Sequence, residues 1–276
     1  MLDKTRNMLL FNGAGTLIAV TLVGYFVRTT FTSEHAQSCI SSSAVTMPLS
    51  LRGISGEPMS SIELEARLGG RHTSIADMAK VVQGGEHGKP DVLEVSLPKG
   101  SVSPAARQNG GGIGFDWQPA SLKKARSICL SYAVWLPEGF DFKRGGTLPG
   151  IYGVGTKDNG EERVAFQLKP MWRDKGEGEI YLTMPGSGEK RGGNIERGSF
   201  TLTRGAWTRI DQEVVLNTPG QKDGTMRLWI DGALRFNHKG LFVRDKLDEV
   251  FAGAQVDIHY GGTDASFGAP SDTLVR

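Results

Sequence analysis

This chain of 276 residues has a small net charge and only two cysteines. Its 32 basic and 30 acidic side chains nearly balance and form no long run of either sign, so the sequence does not predict nucleic-acid binding. Two cysteines are present, Cys39 and Cys129, and neither their number nor their spacing supports a metal site. In an oxidising compartment they can form a disulfide, but two separate thiols are an equally good interpretation. No cofactor is expected.

Long uncharged runs are also rare, and the most extended one lies near the N-terminus. Residues 8–27 contain no charged side chain. At a rise of about 1.5 Å per residue, this run would span the roughly 30 Å hydrocarbon core of a bilayer as one transmembrane helix. Lys4 and Arg6 precede it, and basic residues on that side predict a cytoplasmic N-terminus. The rest of the chain is therefore expected to be extracytoplasmic, either periplasmic or secreted, and attached to the membrane through this run.

The chain is expected to have three parts. Residues 1–28 are predicted to be a signal anchor or a signal peptide, and the length of the apolar run favours an anchor. Residues 29–45 are rich in Ser and Thr without sustained periodicity, which predicts a linker. Residues 46–276 are predicted to form one β-domain, because no internal repeat or second boundary interrupts them.

Short segments of alternating apolar and polar residues dominate this predicted domain. The 38 glycines of the chain provide turns between them, and period-2 alternation bounded by such turns is typical of antiparallel strands. The expected fold class is all-β, a β-jelly-roll sandwich of antiparallel sheets preceded by one N-terminal transmembrane helix. Residues 74–83 are a candidate short helix. Strands are predicted at residues 61–68, 92–97, 126–136, 164–168, 180–184, 208–216, 225–230 and 256–260.

Three of the predicted strands combine one apolar face with one polar face. In the first of them Val164, Phe166 and Leu168 are expected to point into the core. Such a sheet would suit an acidic sugar polymer, although an ordinary solvated sheet face produces the same pattern. The side chains predicted on the polar side are Arg163, Gln167, Lys169, Tyr181, Thr183, Asp257 and His259.

Several glycine- and tryptophan-rich motifs follow one another between residues 88 and 272. They are the turn GGTLPGIYG at residues 145–153, the triplet MWR at 171–173, the stretch from Trp207 to Gly224, WIDG at 229–232 and YGGTD at 260–264. Their order and spacing resemble those of family 14 of the polysaccharide lyases. The resemblance implies a β-jelly roll that cleaves uronic-acid polymers such as alginate by β-elimination.

The resemblance also indicates which positions line the cleft. Thr147 takes the place of the family's turn lysine, while Gln167 and Lys169 take the places of a Ser-x-Arg pair. Tyr181 and Thr183 correspond to a Tyr-x-Tyr pair, so that only Tyr181 keeps the residue of the family. The reaction requires a group that neutralises the uronate carboxylate, a base for the C5 proton and an acid for the leaving oxygen.

We therefore predict Tyr181, Lys169 and His259 as catalytic side chains. Tyr181 would act as acid or base and Lys169 would hold the carboxylate. His259 has a reference pKa of about 6.5, which suits proton transfer, although an ordinary strand histidine is an alternative interpretation. Arg173 is expected either to brace the sheet or to contact a sugar. The predicted substrate-binding residues are Gln167, Arg163, Arg173, Thr147 and Thr183.

Two functions remain open from the sequence. The first is a lyase acting on an anionic exopolysaccharide, which is the expected partner. The second is a non-catalytic binding protein of the cell envelope on the same scaffold, favoured by the substituted cleft positions. A retaining glycoside hydrolase is discounted because no strand carries carboxylates in the pattern E-x-D-x-x-E. Residues 272–276 are expected to begin a shortened final strand, unless the chain is trimmed there.

Overall fold

The described part of the chain begins after the predicted membrane segment. A computed structural model describes residues 37–276, apart from residues 44, 72–74, 84–89, 143–144 and 185–192. The predicted transmembrane helix and most of the predicted linker lie outside these residues. Within them, no helix is both long enough and apolar enough to cross a membrane.

Strands account for most of the regular structure in the described residues. Three short helices precede or join them: α1 (Cys39–Ser42), α2 (Ser61–Leu68) and α3 (Ile75–Met78). Single 3-10 turns follow at Ala120–Lys124, Asp174–Gly176 and Ala265–Phe267. The strands are β1 (Ala79–Val82), β2 (Val92–Leu97), β3 (Ile113–Trp117), β4 (Ser127–Trp135), β5 (Gly146–Thr147), β6 (Gly150–Thr156), β7 (Glu162–Trp172), β8 (Gly178–Thr183), β9 (Gly193–Ile195), β10 (Trp207–Val215), β11 (Gly224–Ile230), β12 (Ala233–Leu241), β13 (Val250–Tyr260) and β14 (Thr273–Val275).

Three antiparallel sheets enclose the hydrophobic core. The largest has the order β3-β13-β5-β7-β8-β9, with β6 continuing the β5 position between β13 and β7. The second is β12-β11-β10-β4 and the third is β1-β2-β14. Gln212 of β10 joins the first two across the core, since its amide donates to the Leu168 carbonyl oxygen at 3.0 Å and accepts from the Ile151 backbone at 3.3 Å. The predicted all-β architecture of antiparallel sheets is confirmed, and it is consistent with a jelly roll.

Residues Ser61–Leu68 are a correction, because they form helix α2 and not the predicted strand. Ser60 caps the helix: its hydroxyl accepts from the Glu63 backbone at 3.3 Å, while the Glu63 carboxylate accepts from the Ser60 backbone at 2.8 Å. Leu64 alone within the helix is buried, and Ile62 is exposed. Because only one side chain of this segment is buried, the alternation of its apolar residues does not reflect a strand with one buried face. The candidate helix at residues 74–83 is confirmed only for α3, since β1 follows it.

A β-bulge corrects a second expectation, the inward orientation of Val164. The register between β6 and β7 shifts beyond Gly153, which pairs with Phe166, whereas Val154 pairs with Val164. Ala165 is therefore an extra residue, and extra residues reverse the alternation of a strand. As a result Ala165 is buried, and Val164 is 44% exposed. The expected final strand exists as β14, which pairs with β2.

A disulfide between Cys39 and Cys129 decides between the two interpretations of the cysteines. It ties α1 to β4 across a separation of 90 residues, with the Cα atoms 5.8 Å apart. We predict that Cys39→Ser lowers the free energy of unfolding by about 2–4 kcal/mol, because the unfolded chain gains freedom when a long loop is opened. Urea denaturation with and without reductant measures this. Reductant should destabilise the native protein and leave the variant unchanged, and equal sensitivity of the two would contradict the prediction.

Candidate active site

The largest sheet turns a polar face away from the core. We use the name polar face for this surface of β13, β5, β7 and β8. Strand register brings its members side by side, since Lys169 lies opposite Tyr181, Gln167 opposite Thr183, and His259 opposite Thr147. All the cleft positions predicted from the resemblance therefore lie on one surface. Its members are Thr147, Gln167, Lys169, Tyr181, Thr183, Gln255, Asp257 and His259.

A buried carboxylate, that of Asp257, lies at the centre of the polar face. Lys169 donates from Nζ to Asp257 Oδ2 at 2.5 Å, and Arg71 donates from Nη2 to Oδ1. Burial alone would raise the pKa of Asp257, but the charges of Lys169 and Arg71 outweigh it and hold the pKa below its usual range. The carboxylate is therefore ionised at neutral pH and keeps both cations in fixed positions.

Asp116 of β3 lies at the edge of this cluster. Its Oδ1 atom is 3.3 Å from Arg71 Nε. Burial raises the pKa of the Asp116 carboxyl more than the neighbouring Arg71 lowers it. Asp116 is thus a weaker partner for Arg71 than Asp257 is.

Gly150 allows side chains of β7 and β13 to meet above the strand that separates them. It pairs with Gln255 and presents no side chain to the polar face. Gln167 donates from Nε2 to Gln255 Oε1 at 2.7 Å, parallel to the contact between Lys169 and Asp257. These two cross-strand links give the middle of the polar face a fixed hydrogen-bonding surface.

His259 is closely enclosed on the same strand as Asp257. It is 8% exposed, and its Nδ1 atom lies 3.1 Å from the carbonyl oxygen of Tyr260. Because a carbonyl oxygen only accepts, Nδ1 is assigned the proton and Nε2 is left as the acceptor. Burial lowers the pKa of His259 more than Asp257 raises it, so the imidazole is neutral at pH 7. It has the protonation state of a base, but little of it reaches the surface.

Tyr181 and Thr183 belong to the partly exposed side of the face, together with Gln167 and Lys169. Both are partly exposed on β8, and Tyr181 lies between Lys169 of β7 and Asn194 of β9. Tyr181 is thus the titratable hydroxyl next to the cationic centre that a polymer lying on the sheet can contact. Its predicted catalytic role remains a prediction, as does the role of Thr183.

Arg163 and Arg173 are placed differently from the other predicted binding residues. Arg163 forms an ion pair with the buried carboxylate of Glu249. Arg173 donates from Nε to Glu179 Oε1 at 2.5 Å, and Glu179 is fully buried. Both guanidinium groups therefore compensate buried charges, which supports the sheet-bracing interpretation of Arg173. Their predicted contacts with substrate remain predictions.

Arg71, Asp116 and Gln255 are the site residues that sequence reasoning missed. Asp116 lies on β3, a strand that the alternation did not predict. Gln255 could have been found from the alternation of β13, because it precedes Asp257 by two residues. Arg71 lies outside any strand and gave no periodic signal.

Comparison with known proteins agrees with this architecture. A family model described as polysaccharide lyase 14 matches residues 86–276. The search of curated proteins finds no match. Among solved structures, the PL-14 alginate lyase from Aplysia kurodai is 25% identical with a TM-score of 0.61, over 72% of this chain and 84% of that one.

Two further structures share the fold at lower identity. Alginate lyase vAL-1 from Chlorella virus is 22% identical with a TM-score of 0.58, over 71% of this chain and 85% of that one. The endo-β-1,4-glucuronan lyase from the fungus Trichoderma reesei is 12% identical with a TM-score of 0.51, over 71% and 82% of the two chains.

Proposed function

Because the chain belongs to the polysaccharide lyase 14 family, we propose that its polar face binds a uronic-acid polysaccharide and cleaves it by β-elimination. The observation that carries this proposal is the position of Tyr181 directly opposite Lys169 in the β7–β8 register. A hydroxyl that can exchange a proton and a cation that can hold a carboxylate are thereby within one sugar's reach of each other.

The proposed reaction divides its work among these side chains. Lys169 interacts with the uronate carboxylate, and withdrawal of charge from that group makes the neighbouring C5 proton more acidic. A base removes this proton, the C4–C5 double bond forms, the bond from C4 to the glycosidic oxygen breaks, and that oxygen takes up a proton from an acid to leave as a hydroxyl. Tyr181 supplies or accepts the proton at the exposed side of the sugar, and neutral His259 is the second candidate base. Gln167 and Thr183 would hydrogen-bond the neighbouring sugars.

Binding without cleavage is the second candidate function. It is favoured by Thr147, which is almost fully buried and stands where the resemblance places a lysine. An unactivated hydroxyl does not accept a proton at neutral pH. In this alternative the polar face holds an acidic glycan of the cell envelope, and the contacts of Asp257 keep that face rigid.

The proposed site of action is extracytoplasmic, with attachment to a membrane through residues 8–27. The disulfide between Cys39 and Cys129 supports an oxidising compartment, since such bonds are rare where thiols are kept reduced. A polymeric substrate outside the cytoplasm is consistent with that location.

Incubation of the full chain with alginate and with polyglucuronate tests the proposal. We expect ultraviolet absorbance from unsaturated uronate ends to rise with at least one polymer, while cellulose, which has no carboxylates, gives no signal. Retention of a uronate polymer without any rise in absorbance would replace cleavage by the binding function. If no uronate polymer is retained and none produces a rise in absorbance, both functions are refuted.

A further inference from the structure

Arg71 reaches the polar face from outside the part of the chain that the lyase family shares. The family match begins at residue 86, and Arg71 precedes it. Its backbone N–H donates to the Gly114 carbonyl oxygen of β3 at 2.9 Å. This contact fixes the start of the side chain at the edge of the largest sheet, from which the guanidinium group extends to Asp257.

Gly114 leaves the space that this arrangement needs. A Cβ atom at this position would lie 2.9 Å from Asp257 Oδ1 and 3.3 Å from Arg71 Nη2. The first distance is shorter than real Cβ contacts allow, so any side chain would displace the pair. The absence of a side chain at Gly114 is therefore a condition for Arg71 to reach Asp257.

Arg71 and Lys169 share Asp257 but do not exhaust their hydrogen-bonding capacity on it. Each approaches a different oxygen of the carboxylate. Lys169 has three N–H donors and Arg71 has five in its planar group. Among the described residues, Asp257 is the hydrogen-bond partner both of the Lys169 ammonium and of the Arg71 guanidinium group, which uses its Nη2 atom for this contact. Their side chains are 13% and 24% exposed, so both are in partial contact with solvent.

From this geometry we infer that Arg71 is a substrate-specificity residue, which together with Lys169 forms a two-cation subsite for a uronate carboxylate. The inference rests on the proposed function of the polar face. Arginine binds carboxylates through two parallel hydrogen bonds, whereas lysine acts as a point charge. Asp257 fixes the positions of the two cations before the sugar binds. The planar guanidinium group of Arg71 then favours a sugar carboxylate that lies in the same plane. A neutral sugar can accept ordinary hydrogen bonds from these donors but lacks the charge-assisted contact that a carboxylate makes.

Binding of a defined oligosaccharide tests Arg71. The probe is an alginate hexasaccharide, compared with the same hexasaccharide after reduction of its carboxyl groups. The full chain carries Tyr181→Phe in all arms so that the probe stays intact, and titration calorimetry measures affinity. We expect Arg71→Gln to weaken binding of the acidic probe about tenfold or more, because a charge-assisted contact is lost. Arg71→Lys should restore part of the affinity.

Arg52→Gln is the matched control, because Arg52 also lies before the family match and also pairs with an aspartate, Asp91, at 2.7 Å. It should leave affinity unchanged. Gly114→Ala changes no charge but disturbs the contact between Arg71 and Asp257, so it should also weaken binding of the acidic hexasaccharide. Thermal unfolding identifies any variant that does not fold. If Arg71→Gln does not fold, the affinity of Arg71→Lys for the acidic probe tests the inference instead.

The outcomes separate this inference from the proposed function. If the parent protein binds the acidic probe and Arg71→Gln binds it equally well, Arg71 is not part of the subsite although the polar face still binds uronates. An equal loss for the acidic and the reduced probe would also overturn the inference, since it would indicate general damage. If the parent binds no acidic probe, the inference and the proposed function fail together. A binding protein that never cleaves would still satisfy the test.

Discussion

Replacing Asp257 with asparagine is expected to lower the free energy of unfolding by about 3 kcal/mol. Removing one partner of a buried ion pair costs roughly 3–5 kcal/mol, because the remaining charge is left uncompensated. Here two cations, Lys169 and Arg71, lose their shared carboxylate. The lower end of the range applies because both side chains keep some contact with water. The loss should be accompanied by weaker ordering of the polar face and therefore by weaker binding of uronate oligosaccharides.

Urea denaturation at several pH values measures this effect. The pKa of Asp257 is lowered on folding, so its contribution is present above the unfolded value of about 4 and disappears as the pH falls through the folded value. The difference in stability between wild type and Asp257→Asn should therefore shrink in acid. Asp248→Asn is a suitable control, since this exposed carboxylate accepts from the Thr156 backbone at 3.0 Å and forms no ion pair with a buried cation in the described part of the chain. Equal stability losses for the two variants, or a difference that persists in acid, would be incompatible with the arrangement described.

The fold was predictable from sequence where strands are long and one of their faces is buried. Strands β10 and β11 meet that condition, and alternation located them closely. Alternation located β4 as well, although Ile128, Leu130 and Tyr132 on its apolar side are only partly buried. Helix α2 does not meet that condition, since its capping box and its single buried leucine determine its conformation while its apolar residues alternate by coincidence. The bulge at Ala165 was hidden for a related reason: alternation assumes one register, and a register shift depends on the partner strand.

For the candidate site, the alternation of each strand was enough to predict which side chains lie on the polar face. Lys169, Tyr181 and His259 lie on one surface because each occupies the polar side of its own strand. Ion pairs depend on which residues the fold brings together, and the pattern of a single strand does not show this. For this reason Arg163 and Arg173 were grouped with the binding residues although each holds a buried glutamate.

Changing Tyr181 to phenylalanine is expected to lower kcat for uronate cleavage by about a hundredfold or more, because a positioned acid or base contributes roughly 10²–10⁴ to the rate. The substitution removes only the hydroxyl, and it leaves Lys169 and Asp257 in place to hold the substrate carboxylate. KM should therefore change much less than kcat. Initial rates of ultraviolet absorbance at several polymer concentrations separate the two quantities.

Tyr132→Phe is the matched control for this experiment. Tyr132 belongs to β4 of the four-stranded sheet and is not a member of the polar face, and its hydroxyl donates to the Pro149 carbonyl oxygen, between β5 and β6, at 2.9 Å. Its removal should cost some stability and leave kcat unchanged. Comparable losses of kcat in the two variants would indicate a general effect of losing a tyrosine hydroxyl. Full activity of Tyr181→Phe would remove this residue from the mechanism and leave His259, whose imidazole is neutral at pH 7, as the proton-transfer group to test next.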